Sequence, residues 1–312
     1  MKLKARACIA IAAAAFSSTA LAQAVGFATL PPGSLNHTTA SAVAKVLKEK
    51  AGINMLVQPT AGDNVIIPMV DRGESTMGIA NAPETAMAIK QAKQHEVRLI
   101  GTAHALQTAF FVRKDSGLRT MADMKGKRVE LGYSAMRTID LLTRAMLATA
   151  GLTERDVKAV RVPNVVRGAD DFASGASDMF FFAFGGPKVR EVDASIPLRV
   201  LEIDEKGMSA ARKISPYGYL TQVQPGPIYI GVEKPMKVYS FDNLLLTSAK
   251  VPDELIYKIL DTLEKNKADL AAVQPVLRAF SAAAAYKQYD MPYHPGALKY
   301  YKEHNLQPKP LE

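Results

Sequence analysis

The sequence predicts an α/β protein built from two lobes that a hinge joins. Six short apolar runs each end in a polar loop of the kind that starts a helix. They come as three, then a break, then three more: residues 25–30, 54–57, 77–79, 128–131, 158–162 and 179–184. Repeated strand–loop–helix units form parallel sheets, whose strand ends and helix N-termini line a crevice. Two such half-sites that face each other would enclose a small ligand, most naturally an anion.

Length, composition and charge agree with this class. A chain of 312 residues suffices for two ordinary α/β lobes, and 48% hydrophobic with 22% charged residues are globular values. The net charge is +9, and three of these charges lie in the N-terminal segment, which leaves +6 on the remainder. A basic surface favours anionic ligands by steering. The Lys and Arg residues are spread along the chain, so we do not predict nucleic-acid binding.

The N-terminus has the pattern of a cleavable secretory signal peptide, which we assign to residues 1–22. A basic stretch with Lys2, Lys4 and Arg6 precedes a short apolar core, and Ala20-Leu21-Ala22 supplies the small residues of a cleavage site. We therefore expect a periplasmic protein; the alternative is a buried first helix. No later stretch approaches the ~20 apolar residues of a membrane span, so we expect the mature protein to be soluble.

The chemistry of most enzyme classes has no counterpart in the sequence. Cys8, the only cysteine, lies inside the predicted signal peptide, which excludes disulfides, thiolate metal sites and cysteine nucleophiles from the mature chain. The histidines lack metal-ligand spacing, and the HExxH, Gly-x-Ser-x-Gly, P-loop and dinucleotide-binding patterns are absent. We predict that the protein is not an enzyme and uses neither a cofactor nor a metal.

The first lobe begins with three strand–helix units. Asn81 has the position of an N-cap for the third helix, with Glu84 at capping-box spacing. Two strand-like runs follow at residues 98–104 and 109–113. The three helices are predicted over residues 36–50, 63–72 and 82–94.

The chain is predicted to cross between the lobes twice. A turn cluster at residues 113–118 marks the first crossover, and strand-like runs after Pro216 mark the return. Lobe 1 is therefore assigned to residues 23–113 and 222–312, and lobe 2 to residues 114–221. Two connecting strands make a hinge about which the lobes can close. Further helices are predicted over residues 134–150, 168–174, 253–270 and 271–285, and further strands over residues 217–224, 228–232 and 244–248.

The loops that follow the six strands supply the candidate ligand contacts. Their side chains, with backbone N–H groups at helix starts, suit a small polar ligand. Phe184, the last residue before Gly185-Gly186, would wall the cleft. Each loop residue has a second interpretation as a turn, cap or surface residue. These loop residues are Thr29, Ser34, Asn36, His37, Thr60, Asn64, Asn81, Ser134, Arg137 and Thr138.

Arg137 is the strongest of these candidates for binding an acid. It lies near the start of an apolar-periodic helix, where a cation opposes the helix dipole unless an anion lies between them. Arg also binds a carboxylate through two parallel hydrogen bonds. With Ser134 and Thr138 it predicts a carboxylate site; the alternative is an Arg in solvent or paired with Asp140. Asp63 would repel an acidic ligand, so we expect it to cap its helix or to pair with a ligand amine.

Several stretches spread over the mature chain carry a family resemblance. They are Gln58-Pro59-Thr60-Ala61-Gly62 with Asn64, Gly73-Glu74 leading into Met77-Gly78-Ile79-Ala80, and residues 112–117, 121–129 and 150–152. The chain resembles the TAXI family, the TRAP-associated extracytoplasmic immunogenic receptors that bind solutes for one class of TRAP transporter. The last two stretches also occur in other periplasmic binding proteins, so the Gln-Pro-Thr-x-Gly loop is the most specific part.

The resemblance implies a type II periplasmic binding protein fold with two α/β lobes, a two-strand hinge and a ligand-closed state. It also implies a TRAP-type membrane permease as the partner. We expect a monomer that binds a small organic anion, namely a dicarboxylate, a keto acid or an acidic amino acid. Two loops, residues 30–37 and 134–138, depart from the family pattern, so the family's glutamate-type ligands are not transferred to this chain.

Three other functions stay open from the sequence alone. A substrate-binding protein of an ABC importer, of the sulfonate or thiamine-precursor type, would use the same fold, and a neighbouring ATPase gene would indicate it. A ligand-sensing module for a signalling partner would have the same sequence features. The third is an enzyme on this fold, although a porphobilinogen-assembling deaminase needs a cysteine to hold its cofactor.

Overall fold

A computed structural model of the chain describes residues 25–311 apart from residues 92, 216 and 217. The predicted signal peptide therefore lies outside the described residues. Within the described part of the chain, no helix is both long enough and apolar enough to cross a membrane.

Ten strands of the described chain form one mixed sheet. The six strands that the apolar runs predict are all present. In chain order the strands are β1 (Val25–Thr29), β2 (Met55–Pro59), β3 (Met77–Asn81), β4 (Val97–Arg113), β5 (Arg128–Leu131), β6 (Lys158–Arg161), β7 (Met179–Ala183), β8 (Leu198–Val200), β9 (Tyr219–Val223) and β10 (Met236–Ser248).

The strand order places the long antiparallel pair β10–β4 in the middle of the sheet, between two parallel groups. On one side β2, β1 and β3 are parallel neighbours, and on the other side β7, β5 and β6 are. β8 pairs with β4, and β9 pairs with the same edge of β10 that β3 occupies farther along the strand. Each parallel group with its helices makes one α/β lobe, as the repeated strand–helix units predict.

The helices follow the predicted pattern, with shorter segments after β10. The predicted helices at residues 253–270 and 271–285 are each divided, because Asn266 and Gln274 leave helical backbone angles. The helices are α1 (Leu35–Ala51), α2 (Asp63–Arg72), α3 (Ala82–Lys90), α4 (Arg137–Thr149), α5 (Val165–Ala173), α6 (Pro187–Ser195), α7 (Met208–Ile214), α8 (Asp253–Lys265), α9 (Lys267–Val273), α10 (Ala282–Ala285) and α11 (Pro295–Glu303).

Local capping chemistry sets the ends of the helices beside the cleft. Ser34 accepts a hydrogen bond from His37 N (3.1 Å) at the start of α1, and Gly52 ends that helix with a positive φ of 67°. The N-cap predicted at Asn81 is confirmed, since its side chain accepts from Glu84 N at 2.8 Å. The prediction that Asp63 caps α2 is wrong: Gly62 holds that position, and Asp63 is the first helical residue.

β4 is one continuous strand where the sequence predicted two. It pairs with β10 over residues 97–108 and with β7 over residues 108–112. β10 changes its other neighbour from β9 to β3 between Ser240 and Asn243. The change of neighbours therefore lies inside both strands, which makes them the hinge. The domain boundaries assigned from the sequence stay a prediction.

The strand predicted at residues 228–232 is absent from the described structure. Tyr229 N donates to Gly226 O at 2.9 Å and Val232 N donates to Tyr229 O at 3.1 Å, which are turn hydrogen bonds. Gly231 has a φ of 79°, which a regular strand does not accommodate. The apolar run alone could not reveal these turns.

A buried ion pair lies beside the crossing point of the two hinge strands. Asp242 of β10 accepts from Lys287 Nζ at 2.7 Å, and their side chains are 5% and 13% exposed. Asp242 also accepts from Tyr219 OH at 3.0 Å and from the hydroxyl of Tyr289. The cluster ties the C-terminal segment and β9 to the hinge.

Candidate ligand-binding cleft

The carboxyl ends of strands from both lobes face one another across a cleft, and loops from its two sides are in contact. Gly62 illustrates how close they are: a Cβ atom placed there would lie 1.8 Å from Ala135 O. The structure is therefore a closed form. Hydrogen bonds across the cleft run from Asn64 Nδ2 to Ser134 O (3.3 Å), from Asn164 Nδ2 to Ala61 O (3.3 Å) and from Lys188 N to Gly33 O (3.1 Å).

Glu84 connects the lobes through the start of α4. Its carboxylate accepts from Thr138 N at 2.8 Å, while Thr138 Oγ1 donates to Asn81 Oδ1 at 3.2 Å. Arg137 Nε lies 4.0 Å from Glu84 Oε1, and the Arg137 side chain is 66% exposed. The anion that offsets both the α4 dipole and the Arg137 charge is thus a carboxylate of the protein itself.

Side chains already accept hydrogen bonds from first-turn N–H groups of four helices that start at the cleft. Ser34 serves α1, Asn81 serves α3, Glu84 serves α4, and Asn164 serves α5 by accepting from Arg167 N at 3.0 Å. Such groups were predicted from the sequence to be free for an anionic ligand. In this closed form those donors are used by the protein.

A cavity of about 40 Å³ lies between the lobes at the strand ends. Lobe 1, lobe 2 and both hinge strands contribute to it, which places it at the switch point of the sheet. Its volume suits one or two water molecules, so a larger solute enters only when the lobes separate. The lining residues are Leu30, Ser34, Leu35, Asn36, Asp63, Asn81, Leu106, Thr108, Met136, Ile139, Val165, Phe181, Phe182, Ala183 and Phe241.

Asp63 is the one ionisable group among the described residues that line this cavity. The residue is 1% exposed. Its Oδ2 accepts from Asn81 Nδ2 at 2.9 Å, while its Oδ1 is buried without a hydrogen-bond partner. Burial, and then repulsion from Glu84, raise the pKa of Asp63 from 3.8 to about 7. A buried carboxyl group without a cation destabilises the folded state.

The raised pKa of Asp63 predicts a falling stability between about pH 4 and pH 7. In that window the carboxyl group ionises in the unfolded chain but stays protonated in the folded one, and above pH 7 the loss is complete. Asp63→Asn removes this loss, which is roughly 4 kcal/mol for a shift of three pKa units. Part of the gain is offset by losing an acid from the first turn of α2, so we expect a net gain of about 2 kcal/mol at pH 8.

Urea unfolding at pH 4 and pH 8 measures this gain in the free energy of unfolding. The variant must be compared with the unmodified protein at each pH, because buried Glu130, whose pKa is raised to about 8, contributes a similar dependence in both. If Asp63→Asn is no more stable than the unmodified protein at pH 8, the Asp63 carboxyl group is not an unpaired buried charge.

The structure brings part of the predicted site together. Ser34, Asn36 and Asn81 line the cavity. Asn36 and Asn243 bond each other through both amides, at 3.4 and 2.9 Å. Thr138 contacts Asn81 from the other lobe without lining the cavity. Thr29 precedes the lining residue Leu30 in the chain and is buried, and its hydroxyl has no hydrogen-bond partner.

Other predicted residues lie outside the cavity lining. His37 is half-buried on α1, and Thr60 donates to Gly62 O at 3.3 Å. Ser134 accepts from Asn64 across the cleft. Phe184 is buried and packs edge-on against Phe111 and Tyr229, so it supports the wall rather than forming it.

Arg137 and Asn64 line a neighbouring, larger depression of about 190 Å³, the outer depression, together with Glu84. The prediction that Arg137 binds a ligand carboxylate does not fit the interlobe cavity. The physical reason is that Glu84 already lies against the start of α4. It stays a prediction for the outer depression alone.

Sequence reasoning missed the apolar wall of the cavity. Leu106, Phe241 and Phe182 come from the two hinge strands and β7, and strands buried on both faces give no sign of which face meets a ligand. Asn243 was also missed, because its partner Asn36 is 207 residues away.

Family comparison gives the chain a place among known proteins. A model of the NMT1-like family matches residues 27–304, nearly the whole described chain. The chain belongs to the NMT1-like family. The TAXI assignment made from the sequence is not supported by this match and stays a prediction.

Solved structures share the fold of this NMT1-like protein at low sequence identity. A periplasmic transporter is 13% identical over 80% of this chain and 85% of its own, with a TM-score of 0.57. A protein of Bordetella bronchiseptica RB50 is 15% identical over 90% and 98%, with a TM-score of 0.55. AbpA of Streptococcus pneumoniae Canada MDR_19A, an amino acid ABC transporter substrate-binding protein bound to L-arginine, is 13% identical over 82% and 95%, with a TM-score of 0.50. The predicted two-lobe periplasmic binding protein fold is confirmed.

Proposed function

We propose that this NMT1-like protein is a periplasmic solute-binding protein that encloses one small solute between its lobes and presents it to a membrane importer. The observation that carries the proposal is the cavity at the strand ends, which both lobes and both hinge strands line. Because β4 and β10 are the strands at which the sheet changes neighbours, a small bend in them would open the cavity. Capture and release by this motion require no catalytic group.

We propose an ABC importer as the partner. The structural likeness to AbpA, a substrate-binding protein of an ABC transporter, supports this choice. The TRAP-type permease is the second candidate. Its support is the Gln58–Gly62 loop, which carries the TAXI resemblance and lies at the cleft, where Gly62 meets Ala135.

The solute-binding function is tested with the chain from residue 23 onward and a library of amino acids, amines, organic acids and sulfonates. A solute present at a hundred times its dissociation constant stabilises the folded protein by ~2.7 kcal/mol. We expect at least one compound to raise the melting temperature and to be neither consumed nor modified. If no compound does so, or if one is turned over, solute delivery is the wrong function.

The importer class is tested by uptake of the compound that binds. We expect deletion of the gene for this protein to abolish uptake, and depletion of cellular ATP to stop it while the ion gradient is maintained. Uptake that stops with the ion gradient and survives ATP depletion would assign the protein to a TRAP-type permease instead.

A further inference from the structure

We propose that the solute is a small amine with an apolar body, bound as its ammonium ion with Asp63 as the counter-ion. The inference rests on the proposed solute-binding function and names the class of solute. Asp63 lines the interlobe cavity, is 1% exposed, and keeps Oδ1 without a hydrogen-bond partner. An ammonium group supplies both the donor and the positive charge that this oxygen lacks.

The charges around the cavity favour a cation over an anion. Glu84, which is buried, lies close enough to Asp63 to repel its charge. No lysine or arginine is among the described residues of the lining. Arg137, the basic side chain beside Glu84, is mostly exposed and lines the outer depression. A ligand carboxylate in the cavity would therefore meet a carboxyl group without a balancing cation, whereas an ammonium ion would relieve the buried charge.

A purely structural role for Asp63 leaves the free oxygen unexplained. Gly62 is the N-cap of α2, so the helix does not need the Asp63 side chain at that position. Asn81 binds only Oδ2, and it would bind an amide oxygen equally well. The sequence therefore retains an acid where a neutral amide would serve the fold.

The rest of the lining restricts the body of the solute. The amides of Asn36 and Asn243 bond each other, and Ser34 Oγ donates to Pro31 O at 2.7 Å. The lining also includes the apolar side chains of Leu106, Phe182 and Phe241. Few polar atoms are thus left for a second polar group of the solute. A single ammonium group on a compact hydrocarbon matches this distribution.

The test uses linear primary alkylamines of two to six carbons, with the alcohols and carboxylates of equal chain length, at pH 8. We expect the amines to raise the melting temperature and the alcohols and carboxylates to have little effect. Asp63→Asn should weaken amine binding at least tenfold by calorimetry while the variant stays folded. A matched control, Glu74→Gln on an exposed acid of the same lobe, should leave amine binding unchanged.

Three results would overturn the inference: no amine binds, amine binding survives Asp63→Asn, or a carboxylate binds in an Arg137-dependent manner. The last result would leave the proposed solute-binding function intact with an anionic solute. Failure of every class in the wider library is a different outcome, because it removes the proposed function as well.

Discussion

Gly62→Ala is expected to hold the lobes apart and to weaken solute binding at least tenfold. The added Cβ would lie 1.8 Å from Ala135 O, a backbone atom of the opposite lobe that cannot move as a side chain does. Gly62 has an extended backbone with a φ of 177°, which alanine also adopts, so each lobe remains unstrained. Overpacking of this kind costs about 1–3 kcal/mol, and here the cost falls on the closed form alone.

Small-angle scattering and calorimetry measure the two consequences of Gly62→Ala. We expect a larger radius of gyration in the presence of the solute, and a lower affinity, because the closed form must be populated before it can bind tightly. Gly226→Ala is the matched control, since a Cβ there meets only Gln224 O at 4.0 Å. An unchanged affinity in Gly62→Ala would show that closure at this contact is not needed for binding.

Lys287→Met is expected to destabilise the protein by about 3–5 kcal/mol, which is the usual cost of removing one partner of a buried ion pair. Asp242, which is 5% exposed, would keep its tyrosine contacts but lose Lys287, its cationic partner among the described salt bridges. Urea unfolding at pH 7 gives the change in the free energy of unfolding.

Two further variants isolate the ion pair at the hinge. Lys237→Met, on β10, removes an exposed partner of Glu205 and should cost less than ~1 kcal/mol. Adding Asp242→Asn to Lys287→Met should recover part of the loss, because the unpaired buried charge is then removed. Equal losses in Lys287→Met and Lys237→Met would mean that the buried pair does not stabilise the hinge.

Local sequence patterns predicted the parts of the fold that local forces determine. The strand–helix units, the N-cap at Asn81 and the buried phenylalanine run all follow from residues close together in the chain. The continuity of β4 did not, because Ala105 and Asp242 pair across a long sequence separation that periodicity cannot detect.

In the candidate site, too, local sequence predicted some features, and long-range packing determined the others. An anion was predicted at the start of α4 beside Arg137, and Glu84, 54 residues from Thr138, supplies it. Asp63 was predicted to cap its helix or to meet an amine; the structure excludes the cap by placing Gly62 there, and the amine stays a proposal. The unpartnered oxygen of Asp63 is a property of tertiary packing that no spacing in the sequence encodes.

Double electron–electron resonance measures directly whether the lobes close when the solute binds. Spin labels at Val65→Cys on α2 and Arg167→Cys on α5 lie on opposite lobes at exposed positions outside the cavity lining. The chain's own cysteine, Cys8, is in the predicted signal peptide, so the labels are unique in the chain that starts at residue 23. We expect the solute that binds to shift the distance distribution to the shorter, closed value, and Gly62→Ala to prevent that shift. An identical distribution with and without the solute would contradict the account.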